Sequence, residues 1–129
     1  MRRRLAFAVL PILALAACQA TPRTPELHNV YFTAESAALD DSARNTIAGA
    51  AREANASPAT FVKVRGFAAP DTGTAAYIRA LAEARARAVA EALISGGVLP
   101  ARIRIEPRGA VPYSDFPTES RRVEIQIGS

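Results

Sequence analysis

Residues 66–97 decide the fold of this chain, and they read GFAAPDTGTAAYIRALAEARARAVAEALISGG. A turn rich in Gly, Pro and Asp opens the stretch, and a pair of glycines closes it. The residues between them are mostly Ala, Leu, Arg and Glu, which favour helix strongly. Thr72 or Thr74 can cap the helix start, and Gly96 suits the left-handed backbone just past its end. The stretch therefore predicts one long helix.

A helical wheel at about 100° per residue separates two faces of this helix. One arc collects apolar side chains, namely Tyr77, Ile78, Leu81, Ala88, Val89 and Ala92. The opposite side carries charges of alternating sign at four-residue spacing, namely Arg79, Glu83, Arg87 and Glu91. This alternation is typical of a solvated face. Arg85 departs from the pattern because it falls near the middle of the apolar arc. A guanidinium there must snorkel to the rim of the core, pair with a buried carboxylate or receive an anion.

The flanking segments predict four strands and one further helix. The predicted strands are His28–Phe32, Thr60–Phe67, Arg102–Glu106 and Arg121–Ile127. The further helix begins at Asp40 or Asp41, either of which can cap it. Residues 107–120 contain three prolines and a glycine and are predicted to be loop. The order βαβαββ indicates an α+β domain, with helices on one face of the sheet and parallel pairing of strands joined through helices.

Composition indicates one globular domain and argues against nucleic-acid binding. The chain has 129 residues, of which 50% are apolar, which suits a single packed core. Its formal net charge of +4 depends on Arg2, Arg3 and Arg4, since the rest of the chain has thirteen basic and twelve acidic residues. No basic patch with interleaved aromatic residues is visible in the sequence.

The N-terminal residues predict a lipoprotein signal peptide. Met1–Arg4 is positively charged, and Leu5–Ala17 is an apolar run of thirteen residues, too short to span a bilayer comfortably. Leu15-Ala16-Ala17-Cys18 resembles the bacterial lipobox, in which the cysteine receives diacylglycerol and, in the mature protein, palmitate. The alternative is an ordinary secretory signal with a chance cysteine. Cys18 is the only cysteine, so no disulfide competes for it.

These features predict three parts of the chain: a signal peptide over 1–17, a lipid-anchored tether over 18–27 and a folded domain over 28–129. The residue after the cysteine is Gln19 rather than the Asp associated with inner-membrane retention, which favours the outer membrane with the domain facing the periplasm. The tether reaches at most about 35 Å when extended.

With these segments in order, the chain resembles the OmpA-like domain, a peptidoglycan-associated module also found in the Pal lipoprotein and in the motor protein MotB. The resemblance covers about residues 28–127. It rests on five segments: Val30-Tyr31-Phe32 with Glu35-Ser36 and Leu39; Val62 to Gly66; Gly73, Tyr77, Leu81, Glu83, Arg85, Ala86 and Val89; Gly97-Val98 with Arg102-Ile103; and Arg121 to Ile125. It implies a two-layer sandwich, in which a mixed four-stranded sheet carries both helices on one face.

The resemblance also implies a binding site. In the family, an Asp in the loop before the second helix and an Arg of that helix clasp the amino-acid end of diaminopimelate in the peptidoglycan stem peptide. The Arg corresponds to Arg85, which the wheel singles out independently. The resemblance thus implies an outer-membrane lipoprotein that binds peptidoglycan non-covalently, with envelope proteins as further partners.

Several positions depart from the family pattern. Where the family has Gly-His-Thr-Asp this chain has Gly66-Phe67-Ala68-Ala69, so the clasping Asp is replaced by Ala69. The loop is one residue longer and contains Asp71, which either takes the place of the missing acid or caps the helix. Further polar positions of the family are occupied by Ile78, Ala82 and Ser120. These losses leave a second hypothesis open, a domain of the same fold that no longer binds peptidoglycan and serves as an interaction or structural module.

No pattern in the sequence predicts catalysis, a metal site or a cofactor. The acids Glu35, Asp71 and Glu106 are scattered, and no Ser/His/Asp set, cysteine nucleophile or phosphate-binding loop is present. His28 is the only histidine, and no cysteine or carboxylate cluster is expected near it. The chain is therefore expected not to be an enzyme.

Overall fold

The computed structural model describes residues 25–110 and 117–128. Its helices and strands are, in order, β1 (Glu26–Tyr31), α1 (Asp41–Ala56), β2 (Val62–Ala68), α2 (Ala75–Ser95), β3 (Ile103–Ala110) and β4 (Arg122–Ile127). Short 3-10 turns at Pro100–Arg102 and Pro117–Ser120 precede β3 and β4. The predicted order βαβαββ is confirmed. The predicted signal peptide, Cys18 and most of the tether lie outside the described residues.

The sheet is mixed and has the strand order β1-β4-β2-β3. β4 runs antiparallel to both β1 and β2, whereas β2 and β3 are parallel. The α2 crossover therefore gives the parallel pair that the sequence predicts. The α1 crossover does not, because β4 lies between β1 and β2. Both helices pack on one face of the sheet, so the predicted two-layer architecture is confirmed. Within the described ranges, no helix combines the length and apolar character needed to cross a bilayer.

The core lies between that face of the sheet and the two helices. Alternate residues of the central strands, such as Val62, Val64, Val123 and Ile125, are fully buried against them. On α2 the buried stripe includes Ile78, Ala82, Arg85, Val89 and Leu93. The prediction that Tyr77 belongs to this stripe is wrong, because its side chain is 42% exposed. Tyr77 is one residue, or about 100°, away from Ile78 and faces outward.

Both helices begin at a capping residue that the sequence predicts, whereas the left-handed residue after α2 lies one position later than predicted. Asp40 caps α1 by accepting a hydrogen bond from the Ala43 backbone N–H at 2.7 Å. Thr74 rather than Thr72 caps α2, accepting from the Tyr77 N–H at 3.2 Å. At the other end the left-handed residue is Gly97, with φ +95°, whereas Gly96 has φ −81°. The prediction for Gly96 is thus wrong by one position.

Two strands are longer than the sequence predicts. β1 begins at Glu26, two residues before the predicted start and inside the predicted tether. β3 continues through Pro107 to Ala110, so the prediction of a loop from Pro107 is wrong. β3 is an edge strand, where a proline removes no necessary ladder hydrogen bond. The pairing register also shifts opposite Gly66 and Phe67, at the same height as this proline.

A half-buried arginine fixes the C-terminal end of α1. The Arg102 guanidinium donates to the carbonyl oxygens of Thr60, Ala54 and Ser57 at 2.8–2.9 Å. The last carbonyls of a helix have no partner within the helix, and a cation near them is favourable. Arg102 therefore ties the end of α1 and the start of β2 to the turn before β3.

α2 lies unusually close to β2 at Gly66. A Cβ atom at this glycine would lie 2.0 Å from the Ala82 carbonyl oxygen and 3.0 Å from the Ala86 Cβ. No side chain fits there unless the helix moves away from the sheet. Gly66 thus sets the distance between the two layers next to Arg85.

We therefore expect Gly66→Ala to lower the free energy of unfolding by about 3 kcal/mol, since the clash is with helix backbone rather than a movable side chain. Gly49→Ala is the matched control, because its nearest neighbour would be the Arg52 guanidinium at 3.9 Å. Glycine within a helix is less stable than alanine, so this control should gain about 0.5–1 kcal/mol. Urea denaturation of the two variants measures both effects. Equal stability of both would contradict the close packing at Gly66.

Candidate functional site

Arg85 lies at the centre of the candidate site and is only 1% exposed. Its Nε donates to the Ser36 carbonyl at 2.8 Å, Nη1 to the Phe67 carbonyl at 3.1 Å and Nη2 to the Thr33 carbonyl at 3.1 Å. The guanidinium therefore neither snorkels to the rim of the core nor pairs with a described carboxylate. It satisfies its buried donors with backbone oxygens of its own chain.

These carbonyls belong to one loop and to the end of one strand. Thr33 and Ser36 lie in the loop between β1 and α1, and Phe67 lies in β2, just before the loop that leads to α2. The β1–α1 loop is a tight turn in which the Ser36 N–H donates to the Thr33 carbonyl at 3.3 Å and Glu35 has φ +53°. The Ser36 hydroxyl accepts from the Ala38 N–H at 3.0 Å and fixes the turn further. Arg85 thus holds the β1–α1 loop to the end of β2, where the β2–α2 loop begins.

The charge of Arg85 is incompletely compensated. Burial and, second to it, the nearby charge of Arg121 together lower its pKa to about 10. The group therefore remains protonated at neutral pH. Its carbon Cζ lies 5.3 Å from the centre of the Phe32 ring, a favourable cation–π position. Within the described ranges neither Arg85 nor Arg121 pairs with a carboxylate. These two cations therefore favour an anion beside them.

The loop between β2 and α2 presents Asp71 to solvent. In this loop the Thr72 N–H and hydroxyl both donate to the Ala69 carbonyl, at 3.2 and 2.8 Å. Since Thr74 caps α2, the hypothesis that Asp71 serves as the cap is wrong. Asp71 makes no hydrogen bond or ion pair with any residue that the structure describes. Ala69, at the position of the family's Asp, is 2% exposed. An acid is therefore available in this loop, but not at the family's position.

Sequence reasoning did not identify Arg121 as part of this end of the molecule. Arg121 directly precedes β4, and its effect on the pKa of Arg85 shows that the two cations are near each other. The neighbouring Ser120 is fully buried, and its hydroxyl has no hydrogen-bond partner in the part of the chain that is described. The closing Arg-Arg motif was visible in the sequence, but only the sheet order places it beside α2.

A second cluster of titratable side chains surrounds His28. Its Nε2 lies 2.7 Å from the Glu53 carboxylate, and one ligand atom from each of Glu26, His28 and Glu53 lies within 4.8 Å of the others. Imidazole and carboxylate groups in this arrangement could hold a divalent cation such as Zn²⁺. The expectation of no carboxylate cluster near His28 is wrong. Glu26 and His28 are two residues apart on one strand and so share a face, but the approach of Glu53 from α1 could not be read from sequence.

The OmpA family matches residues 31–124 of the chain. Outer membrane protein 40 of Porphyromonas gingivalis is 42% identical over 81 residues, which cover 63% of this chain and 21% of that protein. The probable lipoprotein YiaD of Escherichia coli is 37% identical over 106 residues, covering 78% of this chain and 48% of that protein. The chain thus spans about a fifth and about half of these two relatives.

Solved structures share the same architecture. The peptidoglycan-associated lipoprotein from Burkholderia pseudomallei superposes with a TM-score of 0.71 at 24% identity, covering 78% of this chain and 89% of that one. At this level of identity the likeness establishes the fold alone.

Arg85→Met should lower the free energy of unfolding by about 2 kcal/mol. The substitution leaves three carbonyls without their charged donor, and this loss outweighs the relief of burying one charge fewer. Arg85→Lys should also be destabilised, because a single ammonium cannot reach three carbonyls. Exposed Arg79→Met is the control and should change stability by less than about 0.5 kcal/mol. Urea denaturation decides, and a stable Arg85→Met variant would show that the carbonyl contacts contribute no net stability.

The Glu53 cluster predicts a specific pH dependence. Burial raises the pKa of Glu53, but hydrogen bonds with Glu26 and His28 outweigh burial and leave the pKa below its ordinary 4.5. A carboxyl with a lowered pKa stabilises the folded state above its unfolded pKa, and that stability is lost as the pH falls through its folded pKa.

Glu53→Gln should therefore be less stable than the wild type at neutral pH, and the difference should shrink as the pH falls below about 4.5. Thermal unfolding between pH 3 and 7 measures this difference, with exposed Glu91→Gln as the control. A difference that stays constant with pH would contradict the role of the ionised Glu53.

Proposed function

This chain belongs to the OmpA family, and from that premise we propose that its folded domain binds peptidoglycan without a covalent bond, through the stem peptide. The proposal is supported by the names of its relatives, an outer membrane protein and a probable lipoprotein, and by its fold, which is that of a peptidoglycan-associated lipoprotein. The observation that carries it is the arrangement of Arg85, Arg121 and exposed Asp71 at one end of the sheet.

The chemistry of this end suits the amino-acid terminus of diaminopimelate, which has an ammonium and a carboxylate on one carbon. The exposed Asp71 carboxylate would pair with the ammonium. The positive potential of Arg85 and Arg121 would attract the ligand carboxylate, and partial removal of water strengthens such pairing. The N-terminus of α2 adds a favourable dipole for an anion.

Arg85 has two roles in this proposal. Three of its five N–H groups donate to the carbonyls of Thr33, Ser36 and Phe67. It therefore holds the β1–α1 loop to the end of β2 in the state described here. Direct contact with a carboxylate would use the remaining two N–H groups and would need a small opening of the loops, because the side chain is 1% exposed.

The orientation of the domain supports an anchored protein. We propose that Cys18 is lipidated and holds the chain in the outer membrane, with the domain in the periplasm. The tether joins the domain at the start of β1, whereas Thr33 and Ser36 follow the end of that strand. Six strand residues span about 20 Å. The candidate site thus lies at the end of the domain away from its attachment, the direction in which a cell wall would lie.

A second candidate is a domain that has lost the ligand and serves as an interaction or structural module. Two observations favour it, the buried alanine at the family's Asp position and the engagement of Arg85 by backbone carbonyls. Under this proposal Arg85 is retained only to hold the loops. In neither candidate does the chain act as an enzyme.

Asp71→Asn separates the two candidates without a risk to folding, because Asp71 is exposed and makes no contact that stabilises the described fold. Binding of the detergent-solubilised protein to purified diaminopimelate-type sacculi, measured by co-sedimentation, should fall about tenfold or more when this charge pair is lost. Glu91→Gln, at an exposed position on α2, removes the same charge and should bind like the wild type.

The remaining outcomes are equally informative. If the Asp71→Asn variant sediments with sacculi as well as the wild type does, the role of Asp71 is overturned. Failure of the wild type to sediment with sacculi overturns peptidoglycan binding and favours the second candidate. Competition by free diaminopimelate would assign the contact to the stem peptide rather than to the glycan.

A further inference from the structure

A row of neighbouring side chains crosses the open face of the sheet near the point where the tether joins the domain. This face is the one without helices. Register pairs Leu27 of β1 with Gln126, Gln126 with Lys63 of β2, and Lys63 with Arg104 of β3. Lys63 and Gln126 alternate with buried residues and therefore point away from the core, and their register partners Leu27 and Arg104 lie on the same face. The row carries two cations and no acid.

The next row of the same face is electrically different. It pairs Asn29, Glu124, Arg65 and Glu106 in the same order across the four strands. Arg65 donates to the Glu106 carboxylate at 2.9 Å, and Glu124 is paired with Arg122 at the same distance. In contrast, Lys63 and Arg104 make no ion pair with a described residue, although Lys63 is near enough to help lower the pKa of Glu106. Of these two rows, the one at the tethered end thus carries the unpaired positive charge.

Large apolar side chains are exposed at the same end. Phe61 directly precedes β2 and is 50% exposed, Leu27 is 51% exposed, and Leu99, before the turn that leads into β3, is 65% exposed. The Arg104 guanidinium lies 4.5 Å from the centre of the Phe61 ring. Exposed Leu and Phe beside unpaired Lys and Arg is the combination found on protein surfaces that rest at a membrane interface.

We propose that this surface, which comprises Leu27, Phe61, Lys63, Leu99 and Arg104 and is called here the tether-end surface, docks on a bilayer leaflet that contains anionic phospholipid. The proposal rests on lipidation of Cys18. Six residues separate Cys18 from Pro25, the first residue described, and the chain between these two spans at most about 25 Å. The anchor would therefore keep this surface within about 25 Å of the headgroups.

Docking would fix the direction of the domain. A flexible tether alone leaves the domain free to rotate. Apolar insertion at Phe61, Leu27 and Leu99, with Lys63 and Arg104 against phosphates, would turn the loops around Arg85 away from the membrane. Glu26 lies at the same end but on the helix face, where it contacts Glu53, so it does not interrupt the surface.

The test uses the full lipidated protein reconstituted in vesicles, with one nitroxide label as the probe. Cys18 is the only cysteine of the chain, so with its sulfur acylated an introduced cysteine would be the sole free thiol. Ala59→Cys labels an exposed position beside the tether-end surface, and Ala76→Cys labels an exposed alanine at the opposite end. Collisions of each label with a water-soluble nickel complex are compared between phosphatidylcholine vesicles with and without phosphatidylglycerol.

We expect phosphatidylglycerol to shield the label at position 59 from nickel and to leave the label at position 76 unshielded. Lys63→Gln with Arg104→Gln should abolish the shielding, because each basic residue contributes roughly fivefold to binding at an anionic surface. Arg44→Gln with Arg52→Gln is the matched control, since both arginines are exposed on α1 and the change in net charge is the same. That control should keep the shielding.

Three results overturn the proposal. The first is a label at position 59 that stays as accessible as the one at position 76 on acylated protein. The second is shielding that both pairs of substitutions abolish equally, which would indicate net charge alone. The third is protein that mass spectrometry shows to be unacylated, which also overturns the anchor. Sacculus binding is measured separately, so loss of the peptidoglycan proposal would not be mistaken for loss of docking.

Discussion

The candidate site depends on how one buried cation is satisfied. A guanidinium at 1% exposure cannot remain charged unless its donors find acceptors, and Arg85 finds three backbone carbonyls rather than a carboxylate. Because those carbonyls belong to the β1–α1 loop and to the end of β2, satisfying one side chain organises this end of the sheet. Because carbonyls carry no net charge, the positive charge is not cancelled. The structure of this end and the proposed attraction of a ligand would thus be two results of one interaction.

The domain uses the same device at both ends. Arg102 binds the carbonyls at the end of α1, near the tether, as Arg85 binds the loops at the opposite end. Between Arg85 and Arg102, Gly66 allows α2 to lie directly on β2. The layers are therefore held at a fixed spacing. The two ends differ in chemistry, because the tethered end has unpaired cations beside apolar side chains, whereas the opposite end has two cations and an exposed acid. A polarity of this kind suits a protein placed between a membrane and a wall.

The sequence was sufficient for the fold, because the periodicity of α2 and the alternation of the strands each had a single physical interpretation. Local errors arose where packing between distant parts of the chain decides the structure. Pro107 continues β3 because an edge strand tolerates proline, and Tyr77 faces solvent although the wheel placed it on the apolar arc. The wheel singled out Arg85, but its partners lie 18 to 52 residues away and could not be inferred from spacing. The carboxylate partners of His28 were missed for the same reason. That Asp71 replaces the acid lost at Ala69 stays a prediction.

The pairing of β1 with β4 has a mechanical consequence. β1 is an edge strand whose six residues pair with six of β4, and the proposed tether would pull on its first residue. A load between lipid anchor and cell wall would act along the strand, perpendicular to the hydrogen bonds of this ladder. In that geometry the ladder is sheared, so its bonds must break together, whereas a pull across the strand would unzip them one at a time. The proposed attachment at the start of this strand would thus let a small domain resist tension along β1.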